Sequence, residues 1–60
     1  MKLHDVVEVV GDCIISKGSL GTIVEDYGLS VYVEFSDFRG YGIALATLKK
    51  EDLELIWECP

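Results

Sequence analysis

Positive charge is scarce in this 60-residue sequence, with five Lys and Arg against eleven Asp and Glu and a net charge of −6. Nucleic-acid binding takes most of its affinity from cations laid along phosphates, so a polynucleotide is a disfavoured partner. Anionic membrane surfaces are disfavoured for the same reason. Cysteine is scarcer still, with two. Cys13 and Cys59 stand far apart, whereas a disulfide scaffold normally carries four or more. Free thiols in a reducing cytosol are the expectation, with a bridge open to the two chain ends if their strands are neighbours. Paired C-x₂₋₄-C or H-x₃₋₅-H spacings are missing. His4-Asp5 with Cys13 or Cys59 therefore makes no recognisable zinc site, and neither metal nor other cofactor is expected. No run approaches the roughly 20 apolar residues of a membrane span. No apolar stretch of signal-peptide length follows Met1 to Asp5, so a cytoplasmic location is expected.

What is present is hydrophobic: half of the residues, enough for a core and against disorder. A chain of this size forms one domain and buries only about 60% of its unfolded surface. Asp5 to Val10 is rich in β-branched residues and ends at Gly11-Asp12, which reads as a strand. Residues 11–19 read as a long loop, with Ile14-Ile15 tucked onto the core. Gly21 to Tyr27 is a second strand, and Gly28-Leu29-Ser30 a turn of hairpin length. Val31 to Phe35 alternates with period two, placing Val31, Val33 and Phe35 on one face and Tyr32 and Glu34 on the other. Tyr41 to Ala46 reads as a fourth strand. Ala44 to Trp57 is ambiguous, because strong helix formers compete with the alternation Leu53, Leu55, Trp57. A strand to about Thr47, one tight turn at Lys49 to Asp52 and a short last strand satisfy both patterns. Short strands joined by glycine-containing turns argue for an all-β barrel.

The run Lys17-Gly18-x-x-Gly21-x-Ile23, the strand Val31-x-Val33-x-Phe35, and Leu48 with Glu51-Asp52-Leu53 before a final strand together resemble an SH3-like small barrel. They are similar to KOW-type barrels of ribosomal proteins and transcription factors. Closer still is a family of short bacterial proteins of unknown function, marked by an initial "DvVeV", a central "KGxxGTIVE" and a closing "L…DLEL". The resemblance spans Asp5 to Ile56 and implies five antiparallel strands with a single 3₁₀ turn before the last.

The glycines of SKGSLGTIVEDYG pose a choice between a phosphate cradle and a corner. A phosphate loop needs a helix N-terminus after it, and Thr22-Ile23-Val24 is strand. Gly18 and Gly21 are therefore expected to supply backbone conformations closed to other residues. A Cys–His nucleophile lacks an orienting third group, and nothing singles out two carboxylates for acid–base work, so no enzyme is expected. The carboxylates instead cluster among large aromatic rings, the composition of a protein interface. The candidate partner-binding residues are Glu25, Asp26, Tyr32, Glu34, Asp37, Phe38, Arg39 and Tyr41, with Phe38-Arg39-Gly40-Tyr41 as the favoured loop anchor. Phe38 and Trp57 have the alternative of plugging the barrel ends. The expected partner is a basic protein. That suits an inhibitor, antitoxin or immunity protein, a phage inhibitor of a CRISPR nuclease being one version. The alternatives are a small interaction subunit, a homodimer joined at open strand edges, and a KOW-like RNA binder that the missing basic stripe disfavours.

Overall fold

A computed structural model describes residues 1–36 and 43–60. The alternating runs form five strands: β1 (Val6–Val9), β2 (Leu20–Asp26), β3 (Ser30–Ser36), β4 (Ile43–Lys49) and β5 (Leu53–Trp57). One 3₁₀ turn, Lys50–Asp52, stands immediately before β5. Every pairing is antiparallel, in one sheet of order β4-β3-β2-β1-β5. The all-β class, the five strands and the single turn agree with the sequence pattern. The helix-forming residues of Ala44 to Trp57 do not make a helix, because tertiary pairing overrides their propensity. Ala46 and Leu48 lie opposite Val33 and Val31, and all four are buried. β4 continues to Lys49, two residues beyond the expected end at Thr47.

The connectivity requires this sheet to roll. β4 and β5 are its outermost strands, yet only the turn Lys50–Asp52 separates them in sequence. In a flat sheet, four strand spacings would hold them about 19 Å apart. Three residues of 3₁₀ turn rise only about 6 Å. Both ends of the turn are fastened. The Lys50 N–H donates to the Leu29 carbonyl at 3.1 Å, beside the β2–β3 turn. The Asp52 carbonyl accepts from the N–H groups of Val10 (2.9 Å) and Gly11 (3.1 Å), just past β1.

The inner face holds the core: Val7, Val9, Ile23, Val31, Val33, Phe35, Ala46, Leu48 and Leu53. Each fully buried Val or Ile contributes roughly 1.5–3 kcal/mol. Met1, Cys13 and Ile15 pack against this cluster from the loops. Of the pair Ile14-Ile15, only Ile15 tucks inward, and Ile14 is 87% exposed. The two glycines of the β1–β2 connection act differently from each other. Gly18 has φ +89, and its N–H donates to the Val9 carbonyl, so it supplies the backbone freedom expected of it. Gly21 has no such φ. A Cβ there would sit 2.5 Å from Val33 Cγ1 and 2.8 Å from the Phe35 ring, so Gly21 supplies space in the core.

The two chain ends meet at Asp5, which is 1% exposed. Its Oδ2 accepts from the Lys2 backbone N–H at 2.9 Å. Its Oδ1 accepts from the Cys59 N–H at 2.8 Å and the Lys2 ammonium at 3.2 Å. Burial works against the charge on this carboxyl, but the Cys59 and Lys2 donors outweigh it and hold the pKa below its ordinary value. A group depressed in this way stabilises the fold fully above its unfolded pKa, and that contribution is lost as pH falls through the lower, folded value. Asp5→Asn should therefore lower the urea midpoint most at neutral pH. The gap to wild type should close on acidification below the ordinary aspartate range, as a midpoint series against pH would record. Cys13 and Cys59 are both free thiols.

His4 stands in the turn that presents Asp5, closed by the Asp5 N–H to the Lys2 carbonyl at 3.1 Å. Its φ of +74 falls at the turn's third position, where a type II turn favours Gly or Asn. His4→Asn should relieve part of this strain and raise unfolding stability by roughly 0.5 kcal/mol in a urea titration.

Candidate protein-binding face

The outer face of the rolled sheet is composed by the strand register. Val6 stands opposite both Trp57 and Thr22, Thr22 opposite Glu34, and Glu34 opposite Leu45. One row therefore crosses all five strands: Trp57, Val6, Thr22, Glu34, Leu45. A second row runs Glu54, Glu8, Leu20, since Glu8 faces Glu54 on one side and Leu20 on the other. A third holds Glu25, Tyr32 and Thr47.

A bulge in β2 decides which carboxylate joins this face. Ile23 pairs with Val33, but the next pair is Glu25 with Tyr32, so Val24 is the extra residue. Strict alternation from the buried Ile23 would send Glu25 inward. One inserted residue reverses the facing of everything that follows. Glu25 thereby lands opposite the outward Tyr32, and Glu34 lies on the same face of β3.

The candidate residues thus separate. Glu25, Tyr32 and Glu34 come together on the outer face. Asp26 is placed elsewhere, opposite the buried Val31 at the end of β2. Its Oδ1 accepts from the Gly28 N–H at 2.9 Å and the Lys50 ammonium at 3.1 Å, and these two contacts hold its pKa below the ordinary carboxylate range. Asp37, Phe38, Arg39 and Tyr41 lie outside the described residues. Trp57 is not a buried plug. It is 51% exposed, beside Val6 on the outer face. Glu8, Leu20 and Leu45 escaped the sequence reading because their membership depends on which strands are neighbours. The alternation Val7, Glu8, Val9 marks Glu8 as outward, but nothing local sets Glu54 beside it.

The charges on this face are unbalanced. All four lysines form ion pairs: Lys2 with Asp5 and Glu58, Lys17 with Asp12, Lys49 with Glu51, and Lys50 with Asp26. Among the described residues, no bridge reaches Glu8, Glu25, Glu34 or Glu54. Glu8 and Glu54 stand directly opposite each other, a like-charge cross-strand pair that destabilises the sheet. Around these carboxylates lie the half-exposed side chains of Leu20, Leu45 and Trp57. Elsewhere, an open groove of about 520 Å³ is lined by Leu29, Ser30, Lys49, Lys50 and Glu51, and both of its lysines are ion-paired.

Among the described residues, no group of three or more His, Cys, Asp or Glu side chains is arranged to hold a metal ion. Asp5 of the His4-Asp5 pair is occupied instead by Lys2 and by the Cys59 amide. No helix among them is long and apolar enough to cross a membrane. Comparison with protein-family models gives a match over residues 3–55 to a domain of unknown function, DUF4926. Comparisons with curated proteins and with solved structures give no match.

Proposed function

The chain belongs to the DUF4926 family, a domain of unknown function, and from that premise we propose that it is a non-enzymatic module binding a basic protein through the outer face of its sheet. The observation that carries this reading is the division of charge. Every lysine is paired with a carboxylate off that face, while Glu8, Glu25, Glu34 and Glu54 receive no bridge from the described residues. Such a face steers a cationic surface toward it and repels phosphate backbones. Tyr32 and Trp57 supply the anchor rings, and the exposed Leu20 and Leu45 supply apolar area between the charges. The rolled five-strand sheet with its one 3₁₀ turn supports reading the fold as an SH3-like barrel, used here for protein rather than RNA.

A small acidic protein that covers a basic surface acts as an inhibitor. An antitoxin, an immunity protein and a phage inhibitor of a CRISPR nuclease share that physics, in the cytoplasm. The test is a titration against purified basic toxins and nucleases and against a short RNA, at low and at moderate salt. A basic protein should bind with steep salt dependence, lose its own nucleic-acid binding, and shift the emission of Trp57 to the blue. Binding to the RNA, or capture indifferent to salt, would overturn the reading.

A further inference from the structure

β5 is laddered to β1 along one side only, and among the described residues no strand pairs with its other side. Its exposure confirms the opening. Leu55 lies opposite the wholly buried Val7 yet is 39% exposed, and Ile56 and Trp57 are 48% and 51% exposed. Natural sheets cover, charge or bulge such an edge to keep other chains away. β5 does carry a bulge. Val6 pairs with Trp57 and Val7 with Leu55, which leaves Ile56 as the extra residue. The bulge lies next to the strand's end, however, and Leu53 to Leu55 remains regular.

We infer that this edge takes one extended strand of the basic partner, added antiparallel to β5. This inference rests on the function proposed above and gives its docking mode. Strand addition draws affinity from backbone hydrogen bonds and specificity from alternate side chains. Glu54 sets the specificity. It already faces Glu8, and a lysine or arginine across from it on the added strand relieves that opposition. An apolar side chain further along the added strand covers Trp57. A second copy of this chain fits poorly. Antiparallel β5 strands centred on Glu54, the middle of the regular run, would set Glu54 against its own copy, between molecules each carrying a net charge of −6.

The probe is the peptide acetyl-KTVKVTK-amide, with two controls: the same peptide N-methylated at alternate backbone amides, and the same peptide with glutamate for lysine. Amide NMR shifts and hydrogen exchange of the intact protein provide the readout. The lysine peptide should protect the amide of Leu55, because the Leu53 N–H already donates to the Lys50 carbonyl and the Glu54 N–H faces Glu8 of β1. N-methylation should weaken it by roughly tenfold or more, and the glutamate peptide should not bind. Glu54→Gln should weaken the lysine peptide while leaving the protein folded. Equal binding of the N-methylated peptide, with shifts at Thr22, Glu34 and Leu45 instead, would overturn strand addition and leave face docking standing. Protection of β5 that grows with protein concentration in the absence of peptide would overturn it in favour of a second copy. If basic proteins bind but no β5 amide is protected, the docking mode fails alone. If basic proteins do not bind either, the proposed function fails with it.

Discussion

Gly21→Ala should lower the thermal midpoint by roughly 10 °C, the effect of about 1–3 kcal/mol of overpacking in so small a domain. The added methyl would sit 2.5 Å from Val33 Cγ1 and 2.8 Å from the Phe35 ring. Neither neighbour can yield easily. Val33 is fully buried, and Phe35 is packed into the same cluster. Relief would require β2 and β3 to part where Gly21 pairs with Phe35. A chain of this size has only about 3–5 kcal/mol of net stability to lose.

The companion variants at Gly18 separate the two reasons for glycine. Gly18 has open space around it, but its φ of +89 strains any residue with a Cβ. Gly18→Ala should therefore destabilise by about 1 kcal/mol, and Gly18→Asn by less, because Asn tolerates positive φ better. At Gly21 the order should reverse, Asn being worse than Ala, because volume is what matters there. Urea midpoints of the four variants check both orders. An Asn variant milder than Ala at Gly21 would show that backbone conformation, not the room under Phe35, selects glycine at that position.

Gly21 also shows where the sequence is legible and where it stops being so. Its place at the start of a strand could be read from the turn residues before it and the β-branched residues after it. Its purpose could not, because the obstacle is Phe35, fourteen positions away in another strand. The same division runs through the molecule. Val31 to Phe35 declares its two faces by alternation, and the structure keeps them. The ambiguity of Ala44 to Trp57 is settled only by β3, whose register with β4 runs unbroken from Ser30 to Ser36. Asp5 reads only as the first residue of a β-branched run. It is the buried tie between the chain ends because Cys59, at the far end of the sequence, brings it an N–H. On the candidate face, Tyr32 and Glu34 were within reach of a period-two argument. Glu25 joins them through a bulge, and a bulge is a fact about two strands that leaves no mark on one. Glu8 and Glu54 form a pair only because β5 lies beside β1, a neighbourhood created by the roll of the sheet.

That pair carries the prediction that best separates folding from binding. Glu8→Lys should make the protein more stable and its binding weaker. Glu8 and Glu54 oppose each other across β1 and β5, so a lysine at position 8 replaces repulsion with an opposite-charge cross-strand pair. The gain should be roughly 0.2–1 kcal/mol, seen as a higher urea midpoint. For a cationic partner the same change removes one attractive charge and adds a repulsive one, at a cost of roughly tenfold in affinity. Glu34→Lys lies opposite Thr22 and Leu45, with no acid across from it. It should leave stability nearly unchanged and lower affinity by a similar factor. The double variant should then bind on the order of a hundredfold more weakly, from a fold no less stable than wild type. Titration of a basic partner at low salt measures the affinities, and the salt dependence of binding should flatten in the same order. Unaltered binding by the double variant would locate the partner's surface off these rows. Lost stability would mean that the two carboxylates serve the fold. Only the combination of a firmer sheet and a weaker complex fits a face whose charges are kept, against the interest of the sheet, for another protein.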